Sequence, residues 1–108
     1  MKKIKEIRNA FRESVLKRDN YQCRVCGIKG VKLDAHHINN RHYMPNGGYV
    51  LENGISLCDR DNGCHWKAEQ FHLTDGEDWE DGFHPNDLYD LIGSSYEEAF
   101  DKSELLNI

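Results

Sequence analysis

Four cysteines, set as two pairs, constrain this chain more than any other feature. Cys23 and Cys26 flank two residues in YQCRVCG, and Cys58 and Cys64 flank five in CDRDNGC. At 108 residues the chain makes one domain, whose modest core would benefit from a metal cross-link. The N-terminal MKKIKEIRNAFRE is basic but lacks the apolar run of a secretory signal. No segment approaches the roughly 20 apolar residues of a membrane span, so the expected location is the cytoplasm, with no membrane partner. In a reducing compartment, paired cysteines point to zinc before disulfides. A Cys-x2-Cys pair alone also fits a redox site, but the second pair favours a structural Zn2+ held by Cys23, Cys26, Cys58 and Cys64 over incidental buried thiols.

The net charge of -5 conceals two opposed blocks. Residues 1–73 carry 13 Lys+Arg against 8 Asp+Glu, whereas residues 74–108 carry 1 against 11. The basic block is suited to phosphates and the acidic block is not. The composition, 38% hydrophobic and 31% charged, excludes a disordered chain.

Residues 2–18 read as an amphipathic helix with Ile4, Ile7, Phe11 and Val15 on one face. Lys2, Lys3, Lys5, Arg8, Arg12, Lys17 and Arg18 occupy much of the rest, as a solvated face or as contacts to backbone phosphate. Asp19 and Asn20 end the helix. Residues 31–38 alternate as a short strand that ends at His36 and His37. Residues 39–48 form a loop punctuated by PNGG. Residues 49–58 give a second extended segment, bent at Asn53-Gly54. After Cys64, residues His65, Glu69 and His72 share one face of a helix. Strand, loop, strand and helix make a ββα unit within an α+β fold.

Beyond Leu73 lies an acidic loop, TDGEDWED. Pro85 opens a helix with Leu88, Leu91 and Ile92 as its buried side. Ser95 and Glu98 suggest a capping box for a last helix carrying Tyr96, Ala99 and Phe100. The chain divides into a core, residues 1–73, and an acidic helical C-terminal extension, residues 74–108, packed on it.

Adjacent histidines at a strand end, a third behind a cysteine and an acid one turn later form a constellation. Imidazole and carboxylate bind divalent ions, while an unligated imidazole takes a proton near neutral pH. Phosphodiester hydrolysis needs both jobs done by different groups.

The basic helix entering YQCRVCG, followed by LDAHHI, GG, ENGISLC and CHWKAE, resembles the HNH endonucleases of the ββα-metal (His-Me finger) class with a four-cysteine zinc site. The resemblance runs from Phe11 to about His72. It implies a metal-dependent endonuclease that nicks or cuts DNA, bound mainly by its backbone phosphates, with the ββα unit against the minor groove. It further implies His36 and His65 as ligands of the catalytic ion, His37 as general base and Asn53 as the residue that braces the loop. Glu69, one turn beyond His65, is expected to complete the shell of Mg2+ or another divalent ion (Mn2+, Ni2+ or Zn2+), or else to touch phosphate. Arg8, Arg12, Lys17, Arg18 and Arg41 are the expected nucleic-acid contacts. His42 and His72 are expected to be peripheral. The alternative is a non-catalytic zinc-binding module for nucleic acid. The acidic extension reads as a docking surface for a protein partner or second subunit, as a restraint on the basic face, or as packing with charge balance.

Overall fold

In the computed structural model, which describes residues 3–107, the apolar stripe of the first helix sets the frame. Met1, Lys2 and Ile108 lie outside the described residues, and with them the Lys2 of the expected basic face. Helix α1 (Ile4–Arg18) buries Ile7, Phe11, Val15 and Leu16. Ile4, expected on that face, is instead 50% exposed. Burial begins at Ile7, along the stretch where α1 packs on β1 (Leu33–His37) and β2 (Gly54–Cys58).

The strands pair antiparallel, with Leu33 opposite Cys58 at one end and His37 opposite Gly54 at the other. Successive side chains point to opposite faces. Asp34 and His36 therefore meet His65 and Glu69 of α2 (Cys64–Leu73), whereas the His37 ring stacks 4.6 Å from Phe11 of α1. A Cβ at Gly54 would fall 2.5 Å from Val15 Cγ2, so glycine allows α1 to approach the sheet at this point.

The second extended segment is shorter than the sequence suggests. Only Gly54–Cys58 is strand, and Leu51–Asn53 forms a 3-10 turn. Pairing stops at His37, so Tyr49–Leu51 have no strand opposite them. β1 likewise spans only Leu33–His37 of the expected 31–38, with Ile38 tied instead to the Asn53 carbonyl (2.9 Å).

The turn after α1 holds more than turn formers. Asp19 is buried, accepting from Arg18 (2.8 and 2.9 Å), Arg24 (2.8 Å) and the Ser56 amide (2.9 Å). Burial opposes its charge, but Arg18 and the Ser56 amide hold its carboxyl below the usual carboxylate range. Asp19→Ala leaves two guanidinium groups and a buried amide without their acceptor, an expected loss of about 3–5 kcal/mol in urea unfolding. Because folding lowers this pKa, the contribution is complete above the unfolded carboxylate value near 3.9. It is lost as pH falls through the folded value. An acid titration of Asp19→Asn should show a shallower loss of stability than the wild-type chain.

The acidic extension contributes to the same core. α3 (Pro85–Ile92) buries Pro85, Leu88 and Tyr89. Leu91, expected inside, is 42% exposed, since the buried stripe runs through Leu88, Tyr89 and partly buried Ile92. α4 (Tyr96–Glu104) starts at Ser95, whose hydroxyl accepts the Glu98 amide (3.1 Å), and buries Ala99 and Ser103. Tyr96 is 44% exposed, outside the buried side. Phe83, Leu88, Tyr89 and Ala99 pack in one cluster with Leu16, Leu33, Ile55 and Leu57. The result is a small α+β fold with a two-stranded sheet and, among the described residues, four α-helices. No helix among the described residues is long and apolar enough to cross a membrane.

Candidate active site

The four cysteines converge. Their sulfurs lie within 4.8 Å of one another, and they form a cluster that could hold a metal ion. Cys23 and Cys26 sit on a knuckle closed by the Cys23 amide on Ile28 O (3.1 Å) and the Gly27 amide on Cys23 O (3.0 Å). The wider second pair folds back through the Gly63 amide on Arg60 O (2.9 Å), and the Cys64 amide then donates to Cys58 Sγ (3.3 Å). Burial works against the Cys58 thiolate, but the Cys64 amide and Arg60 bring its pKa down to about 7. Burial and the neighbouring Cys23 push Cys64 up. A cation at the centre of four sulfurs would reverse that push.

On the α2 side of the sheet, three groups meet around one point. Glu69 Oε1 lies 3.1 Å from His36 Nδ1 and 3.1 Å from His65 Nε2. The three form a second cluster able to hold an ion. The bonds from His36 and His65 hold Glu69 well below the usual carboxylate range. Burial pushes His36 down. Burial also opposes the charged form of His65, which is only partly buried, yet Glu69 and Asp34 raise it on balance, because its two nitrogens bridge two carboxylates. Asp34 Oδ2 sits 2.9 Å from His65 Nδ1 and so fixes which nitrogen faces Glu69. Asp34 and Asp59 also lie close to His65, but Asp59 is ion-paired to Lys32 (2.8 Å).

His37 stands beside this point on the other face. Its ring packs against Phe11 (4.6 Å) and edge-on to Tyr49 (4.9 Å). Its Nε2 is buried without a hydrogen-bond partner among the described residues. Burial, then His36 and Arg41, push its pKa down to about 4, so the imidazole is neutral at pH 7 and able to accept a proton. His36, His37, His65 and Glu69 all line one cleft of about 380 Å³, together with Arg8, Arg12 and Arg41.

Asn53 lies behind the cleft rather than in it. Fully buried, it accepts the Asn39 amide on Oδ1 (3.0 Å) and donates Nδ2 to Asn39 O (3.1 Å) and Gly48 O (3.2 Å). These bonds tie the loop after His37 to the turn before β2. Gly48, at φ +69°, leaves room for that amide, since a Cβ there would lie 2.7 Å from Asn53 Nδ2.

Two expected phosphate contacts sit elsewhere. Arg18 is committed inside the fold, to Asp19, Leu51 O (2.7 Å) and Gly54 O (2.6 Å), because a buried carboxylate, a carbonyl of the 3-10 turn and one at the start of β2 claim its donors. Lys17 is exposed and does not line the cleft. Of the cleft arginines, Arg12 gives one donor to Leu33 O (3.0 Å), and Arg8 approaches the Tyr49 hydroxyl at 3.4 Å. His42 is exposed, but His72, expected to be peripheral, lines the cleft. It stacks on His36 (5.3 Å), and its Nε2 donates to His37 O (3.1 Å). Its spacing from His65 and Glu69 carried that signal. Asp34 joins the site from the same strand face as His36, two residues before it, a period-two relation that the sequence also carries.

Compared with protein-family models, curated proteins and solved structures, the chain matches none.

Proposed function

We propose that this chain is a metal-dependent endonuclease of the HNH type that hydrolyses DNA phosphodiester bonds. The observation that carries the reading is one cleft holding the His36–His65–Glu69 cluster, a neutral His37 beside it and three arginines at its walls. The two imidazoles suit Zn2+ or Ni2+ and the carboxylate also admits Mn2+ or Mg2+; an ion there would replace the proton that His65 Nε2 shares with Glu69. Such an ion supplies charge stabilisation at the phosphate and the leaving oxygen.

The chain's own groups do the rest. Arg8, Arg12 and Arg41 draw the phosphate into the cleft and orient it. His37 takes a proton from water as the water oxygen bonds to phosphorus and the P–O bond to the leaving sugar oxygen breaks. An anionic phosphate in the cleft raises the pKa of His37, making it a better base when substrate is bound. Phosphate contacts position without specifying, so cleavage is weakly sequence-selective. Zn2+ is the ion that best suits the four thiolates, whose closed shell makes it structural and separate from the reaction. Thiolates of this kind fit a reducing compartment such as the cytoplasm.

The test is supercoiled plasmid incubated with pure protein in a series of Mg2+, Mn2+, Ni2+ and Zn2+, with EDTA as control. Conversion to open circle or linear DNA that EDTA abolishes is the expected result. No cleavage with any ion, together with a retained band shift, would favour a zinc-binding nucleic-acid module without catalysis.

A further inference from the structure

We infer that Tyr89, on α3 of the acidic extension, is a positioning residue for His37, acting through Asn53. The inference rests on the nuclease reading for its kinetic arm but not for its structural one.

Tyr89 is 2% exposed, and its hydroxyl donates to Asn53 Oδ1 at 2.7 Å. That oxygen also accepts the Asn39 amide, and both Nδ2 protons are engaged on Asn39 O and Gly48 O. With Tyr89 in place, the Asn53 side chain has all four of its hydrogen-bonding positions filled. The Asn53 backbone carbonyl takes the Ile38 amide (2.9 Å), so both residues that follow His37 are bonded to Asn53. A shift of Asn53 therefore passes to the backbone that aims the His37 ring. Burial raises the pKa of the Tyr89 phenol, which keeps its proton for donation.

The extension reaches this region by other ties as well. Asn46 Nδ2 donates to Ser103 O (3.0 Å), and Ser94 Oγ donates to Glu52 O (2.9 Å). Of these three side-chain ties, the one from Tyr89 ends on an atom of Asn53. Ser94 thus provides a control that cuts a tie of similar kind without touching that side chain.

The experiment compares wild type, Tyr89→Phe and Ser94→Ala by amide hydrogen exchange and by plasmid nicking under the most active metal. Tyr89→Phe keeps the ring and removes one buried donor, which should speed exchange of the Asn39 amide roughly tenfold. It should lower kcat about five- to tenfold with KM unchanged, while Ser94→Ala matches wild type in both. Tyr89→Phe with wild-type kcat, or with a raised KM alone, would overturn the inference. So would loss of the folded state in Tyr89→Phe by circular dichroism, which would make the bond a stability element of the core. If wild type fails to nick, the nuclease reading falls, and Asn39 exchange still decides whether Tyr89 holds the loop.

Discussion

Stripping the proposed zinc from Cys23, Cys26, Cys58 and Cys64, or replacing Cys23 with serine, should unfold the chain. Structural zinc in small domains contributes on the order of 10–16 kcal/mol, comparable to the whole stability of an ordinary domain, about 5–15 kcal/mol. Here the four thiols draw together the knuckle, the end of β2 and the start of α2. Three of them are buried, where like charges without a cation would repel. The measurement is far-UV circular dichroism during titration with a strong chelator, with released metal followed by a colorimetric dye. Helical signal should fall as one equivalent of zinc appears. A Cys23→Ser chain with the wild-type unfolding midpoint would show that the cluster binds no structural ion.

His37→Ala should do the opposite, leaving the fold intact and nicking slower by about 10²–10⁴-fold, the usual contribution of a general base. The ring sits between Phe11 and Tyr49, so some packing is lost, but the four-thiolate site and the sheet remain. DNA binding, measured by band shift, should change little because Arg8, Arg12 and Arg41 are untouched. Nicking by His37→Ala at the wild-type rate would remove His37 from the role of base.

The sequence disclosed what depends on neighbours along the chain. The i, i+4 relation of His65 and Glu69 put them on one face of α2, and the cysteine spacing announced a four-cysteine cluster that could hold a metal. Adjacent histidines at a strand end placed the centre of the site. Contacts across long separations stayed hidden. Arg18 read as a phosphate contact because nothing in the helix pattern shows that Asp19, Leu51 and Gly54 claim its donors. Tyr89 lay in a segment that the core motif does not describe, and only folding brings its hydroxyl to Asn53. The overlong second strand had a simpler origin. Apolar residues at 49–51 look extended, but β1 is too short to offer them a partner.

The five-rung ladder between Leu33 and His37 sorts the two imidazoles by parity. Sliding β1 by a single residue would send His36 toward Phe11 and His37 toward Glu69, transposing the proposed ligand and the proposed base in one step. The rung Leu33–Cys58 carries one of the four clustered cysteines, so an ion held there would act as a peg against that slide. Under the proposed reading, fidelity of chemistry at the far end would then depend on that ion as much as on the histidines.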